Sequence, residues 1–188
     1  METCMNKKAS KFLSILVLST ATAACSWGSG NDSAGASESV PIVEENPYGA
    51  SGIDAPAIDE VVLTVRVNGL RTTFSLNQLF ALPVTDIRLF EPFIKQNSQF
   101  GGVAISEIFK ATGISGADIA TTIALNDYAY SNTAEKFLDS NAVIAYEQNG
   151  QPIAMDRGGP IRIIFPDGTL LAKVLDAWNW SISEIVVE

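Results

Sequence analysis

The chain has 188 residues, 47% of them hydrophobic, which suits one domain with a substantial core plus appendages. It is acidic, with 21 Asp and Glu against 12 Lys and Arg, and it has no histidine. The missing imidazole removes serine–histidine and cysteine–histidine nucleophile pairs, histidine zinc sites and the commonest general base. The acidity disfavours nucleic acid and peripheral binding to anionic lipid.

The first 25 residues are laid out as an export signal. Lys7, Lys8 and Lys11 precede an apolar run from Phe12 to Ala24, too short for a good membrane span, and small residues lead to Cys25. Met5 reads as the natural start, which would make Met1 to Cys4 an extension. "TAAC" resembles the bacterial lipobox, with Thr22 where leucine is usual. Cys25 is therefore expected to be lipidated, with simple secretion as the alternative. Ser26 after it points to the outer membrane under the sorting rule of enterobacterial lipoproteins. Beyond Cys25 the charge is −11 and no cysteine remains, so the folded part has no disulfide framework. Residues 26–58, rich in Gly, Ser, Ala, Glu and Pro, read as a flexible tether.

The folded domain is expected over residues 59–188. In "VVLTVRVNGLRTTF" alternating apolar residues flank Asn68-Gly69, a β-hairpin signature. "SLNQLFALP" begins a short helix with Ser75 as N-cap and Gln78 three residues on, and Pro83 ends it. Residues 84–102 are expected to be a short strand and an irregular loop. "VAISEIFKATGI" predicts a second helix stopped at Gly113. "DIATTIALNDYAYS" predicts a strand entering a polar aromatic turn, followed by a helical turn over 134–138. "NAVIAYEQNGQPI" predicts a strand closed by Asn149-Gly150. The last third alternates strand and loop. No internal repeat is visible, so the fold class is α+β, with a mixed or mostly antiparallel sheet and short helices.

Few residues offer chemistry. Asp86, Glu91, Glu107, Asp127, Asp156 and Asp167 fall in separate loops or element ends and read as solvated charges and caps. "RGGPIRIIFP" has two readings. Gly158 and Gly159 could let backbone amides approach an anion with Arg157 as counter-charge, or they could form a tight turn feeding a buried strand. A strand rather than a helix follows, which excludes the common nucleotide-binding loops. "LNDYAYS" groups Asn126, Asp127 and Tyr128 at a strand end, where polar side chains can face a cleft. Trp178 and Trp180 alternate as on a strand and would point to one side. The sequons at Asn31 and Asn179 read as chance.

"LTVRVNG", "FSLNQLFALP", "FGGVAISEIFKATG", "ALNDYAYS", "NAVIAYEQNGQPIAMDRGGPIRIIFP" and "WNWSISEIVV" resemble, in order and spacing, the sulfite-oxidase-type molybdopterin-binding domain. The likeness runs from about Val61 to Glu188 and is strongest to a small exported bacterial branch. It implies a sulfite-oxidase-like fold and a possible molybdopterin cofactor. In catalytic members a protein cysteine binds molybdenum, as suits a soft metal. The resemblance places that cysteine in "RLFEPFIKQNSQ", which has none. The basic grip on the pterin phosphate is reduced to Arg157, Arg162, Arg88 and Lys95.

The expectation is an exported, lipid-anchored, non-catalytic domain on the periplasmic face with no metal ligands and no bound cofactor. It would bind a small ligand or a periplasmic protein, with a signalling partner suggested by analogy, and would meet the membrane through its lipid only. Candidate ligand-binding residues are Asn126, Asp127, Tyr128, Arg157, Gly158, Gly159 and Arg162. The alternatives are a molybdopterin oxidoreductase that binds its cofactor without a cysteine ligand, and a purely structural envelope lipoprotein.

Overall fold

A computed structural model describes residues 54–187. The export signal, Cys25, the Asn31 sequon and most of the tether lie outside the described residues. Among the described residues no helix is long and apolar enough to cross a membrane.

Strands β1 (Val61–Val67) and β2 (Leu70–Ser75) form the expected hairpin, with Asn68 and Gly69 both at positive φ (49° and 81°). Helix α1 (Leu76–Phe80) starts in a full capping box: the Ser75 hydroxyl accepts from the Gln78 amide, and the Gln78 side chain accepts from the Ser75 amide. Residues 84–104 differ from expectation. They form two long strands, β3 (Val84–Glu91) and β4 (Gln96–Ala104), paired in register from Val84–Val103 to Glu91–Gln96. The alternation is masked because β3 lies at a sheet edge and exposes Val84 and Phe90, while β4 buries Gly101 and Gly102.

Helix α2 (Ile105–Thr112) buries Ile105, Ile108 and Phe109 and ends at left-handed Gly113. Strands β5 (Ile119–Ala124) and β6 (Ala129–Thr133) make a second hairpin, and α3 (Ala134–Asp139) follows. Strand β7 (Val143–Gln148) turns through Asn149-Gly150 into the short β8 (Gln151–Pro152). Strand β9 (Arg162–Ile164) and a closing β10 (Ile182–Val187) complete the set. "LLAKVLDAW" forms two single-turn 3₁₀ helices at 171–173 and 175–177.

The strands make two five-stranded sheets. The first runs β2-β1-β10-β5-β6, antiparallel except for the parallel β1–β10 pair. The second runs β3-β4-β7, with β8 and β9 both pairing on the far side of β7. Leu63, Val65 and Ile185 of the first sheet, Phe100, Ile144 and Ile163 of the second, and Leu79, Ile108 and Phe137 of the helices belong to one buried cluster. Fully burying such a side chain contributes roughly 1.5–3 kcal/mol, so this shared core, without a disulfide, supplies the main stabilising term. The architecture is α+β with mixed sheets and short helices, as the sequence implies.

Candidate functional site

Residues 176–181, from within the 3₁₀ turn at 175–177 to the start of β10, are where three loops converge. The first is the β5–β6 turn. The Asn126 side chain accepts from the Tyr128 amide at 3.2 Å, and Asp127 takes φ 63°, a conformation Asn and Asp tolerate. The Tyr128 hydroxyl donates to the Asp176 carbonyl at 3.0 Å, which ties the turn to the hub. Burial, then the Asp176 carboxylate and Tyr130, hold the Tyr128 phenol above the usual tyrosine value. Asn179, 1% exposed, donates to the carbonyls of Thr122 (3.0 Å) and Tyr128 (3.4 Å). That burial makes its sequon inaccessible.

The second loop is "RGGP". Met155–Arg157 is a 3₁₀ turn, Gly158 is left-handed at φ 83°, and the Gly159–Pro160 peptide is cis. A Cβ on Gly158 would sit 2.8 Å from the Trp180 ring, and one on Gly159 would overlap the Ile153 carbonyl oxygen. Both glycines are buried against the protein itself, while Arg157 is exposed. Ser181 joins the two loops: its amide donates to the Gly158 carbonyl at 2.8 Å, and its carbonyl accepts from the Leu125 amide at 2.9 Å.

The third is the β3–β4 turn, where the resemblance places the metal-binding cysteine of catalytic relatives. Here Phe93 packs its edge against Trp180 (5.2 Å between centroids) and Trp178 (6.4 Å). The Glu91 carboxylate closes the turn by accepting from the amides of Phe93 (3.0 Å) and Ile94 (2.6 Å). Its other oxygen accepts from Arg162 at 2.7 Å, and both side chains are shut off from water. The Arg162 guanidinium lies 4.2 Å from the Trp180 ring centroid and 5.7 Å from that of Phe100. Burial lowers the Arg162 pKa, and the Glu91 carboxylate opposes that shift.

Two of the seven candidates, Tyr128 and Gly158, are thus joined directly to the hub; Asn126 and Asp127 lie in the same turn as Tyr128, and Gly159 packs against Ile153 beside Gly158. Arg157 adjoins it, exposed. Arg162 lies beneath it, out of reach of solvent. Trp178 and Trp180 do meet one neighbour, Phe93, although neither is on a strand. Glu91, expected among the solvated charges, is 0% exposed and belongs to the hub's foundation. Its signal was available, because "LFEPF" and "PIRIIF" each set one charge inside an apolar run.

The family model of the oxidoreductase molybdopterin binding domain matches residues 89–181, a span that includes the β3–β4 turn, the "RGGP" loop and the hub. The domain belongs to that family and has the sulfite-oxidase-like fold. Among solved structures it is similar to the sulfane dehydrogenase SoxCD from Paracoccus pantotrophus. The TM-score is 0.56 at 16% identity, and the match covers 72% of this chain but 39% of that one. A search of the curated proteins finds no match.

The residues present do not fit a thiolate-bound molybdenum. Residues 54–187 contain no cysteine or histidine, and among the described residues no cluster of three or more acids could replace them. The turn that would offer the thiolate is closed by the Glu91 carboxylate instead.

Proposed function

We propose that this domain is a non-catalytic member of its family that binds a ligand or partner protein at the cell envelope. The observation that carries the reading is the replacement at the β3–β4 turn. Where relatives are expected to offer a soft thiolate, this chain has Glu91 paired with Arg162 and Phe93 packed on two tryptophans. A fold can outlast its chemistry because function belongs to the site and not the scaffold. The rim of the hub, with exposed Tyr128 and Phe93 beside Arg157, supports docking there. The export pattern and Cys25 support a lipid-anchored protein on the periplasmic face of the outer membrane, serving as an accessory to an envelope partner such as a signalling protein.

The test is to export the chain by its native route from molybdenum-replete cells, then assay the purified protein for metal and for pterin fluorescence after oxidation. Metal-free, pterin-free protein is expected. Stoichiometric molybdenum with pterin would overturn the reading in favour of an oxidoreductase without a cysteine ligand. Arg157→Ala should abolish co-purification of the envelope partner while leaving stability unchanged. Lost stability with unchanged association would mean that the loop is structural only.

A further inference from the structure

A concavity is bordered by Pro160 of the "RGGP" loop and Leu125 of the β5–β6 turn, and residues 176–181 do not line it. It is a groove of about 370 Å³, within the range of ligand sites, whose apolar lining includes Val61, Leu125, Met155, Pro160 and Ile182. Val61 and Leu125 are each 48% exposed, so an apolar ligand would remove surface the fold leaves in water.

Two strands deform at this place. The β1–β2 register shifts between Val61 and Leu63, and the β10–β5 register shifts between Ile182 and Glu184. The residues within these irregularities, Val62 and Ser183, both line the groove. Such irregularities re-aim side chains and recur beside binding sites.

The charges on the lining define what could enter. Arg71 forms no ion pair among the described residues and makes one long contact, 3.4 Å to the Thr64 hydroxyl, so most of its guanidinium donors are available to a carboxylate. Asp54 and Glu60 supply negative charge, with one Glu60 oxygen already accepting from the Ala57 amide. Glu60 immediately precedes β1, while Arg71 reaches Thr64 four residues further along. At about 3.3 Å per residue, roughly 13 Å of strand separates the backbone of Glu60 from that of Thr64, the residue Arg71 contacts. A single amino acid is too short for that span.

We propose that this groove binds a short apolar peptide with free termini, of two or three residues, its carboxylate on Arg71 and its ammonium on Glu60 and Asp54. The site is independent of the reading of the hub.

The experiment is calorimetric titration of the purified chain with alanyl-leucyl-alanine, its N-acetyl form and its C-terminal amide. Saturable binding of the free peptide is expected, with a loss of about tenfold on blocking either end. Arg71→Gln should erase the penalty for amidation and Glu60→Gln that for acetylation. Both positions are exposed, so melting should not change. Arg157→Ala, at the hub, should leave this binding intact whatever it does to partner association. Absence of saturable binding at millimolar peptide, equal affinity for the blocked forms, or loss of binding in Arg157→Ala would overturn the proposal.

Discussion

Arg162 and Glu91 join two strands that are not neighbours. Their 2.7 Å ion pair reaches from β9 to the end of β3, which β7 and β4 separate in the sheet, and it passes the Phe100 ring of β4. Taking both charges out of water is costly, and their attraction returns that cost only while both are present. Removing one partner should therefore do more harm than removing both. Glu91→Ala is expected to lose about 3–5 kcal/mol in denaturant unfolding. The pair Glu91→Gln with Arg162→Met should lose clearly less, since glutamine can still accept from the Phe93 and Ile94 amides. Equal losses would show that the ion pair has no special weight.

Asn179 makes a different kind of buried connection. Its amide nitrogen faces two carbonyl oxygens, those of Thr122 and Tyr128, so the position requires a donor. Asn179→Ala is expected to cost about 1–3 kcal/mol through acceptors left without a partner. Asn179→Asp should cost more at neutral pH, because a carboxylate there would face two carbonyl oxygens and a Thr122 hydroxyl that already donates to the Tyr130 carbonyl, and part of that loss should return as the pH is lowered and the carboxyl protonates. Thermal melts of both variants across pH provide the check.

Tyr128 and Tyr146 should both weaken the fold at alkaline pH. Burial first, then Glu147 and Asp86, raise the Tyr146 phenol, and Tyr128 is raised as described above. The folded state thus keeps these protons to higher pH than the unfolded chain does. Their contribution is complete below the unfolded value of about 10 and is lost as pH rises through the folded values. Denaturant midpoints should fall above that pH, and less steeply in Tyr128→Phe. That variant should also lose about 0.5–1.5 kcal/mol at neutral pH with its hydrogen bond to Asp176.

Local chemistry was readable wherever it acts within a few residues. The Asn-Gly turns, the Ser75 capping box and the Gly113 stop are each decided by neighbours in the chain, and each stands as expected. What eluded the sequence is set by contacts distant along it. The β3–β4 hairpin was hidden because its alternation depends on which sheet edge it occupies. Gly102 owes its identity to β7, since a Cβ there would strike the Ile144 carbonyl. The burial of Glu91 depends on a partner 71 residues away. The family resemblance located the candidate loops in the chain but gave no indication that Ser181 and Asn179 would tie them into one hub.

The "RGGP" loop can be tested at its two glycines, which are constrained differently. At Gly159 a methyl group would enter the Ile153 carbonyl, and backbone on both sides leaves no side chain to yield. Gly159→Ala is expected to cost about 3 kcal/mol or more, and no second substitution should rescue it. At Gly158 the penalty has two sources, about 1–2 kcal/mol for a left-handed residue with a Cβ and a further overlap with the Trp180 ring at 2.8 Å. Only the second should ease when the ring is removed, and only in part, because the Trp180 Cβ lies 2.9 Å away and stays in any residue but glycine. Gly158→Ala should therefore cost measurably less in a Trp180→Ala background than in the parent chain, read as a coupling energy in a double-mutant cycle. A cradle whose glycines admit a ligand's phosphate would behave otherwise: Gly158→Ala would leave stability nearly unchanged beyond the backbone term, and the two substitutions would add. Coupling between Gly158 and Trp180 would establish that the glycines are spent on internal packing, leaving Arg157 as the part of the motif that faces solvent.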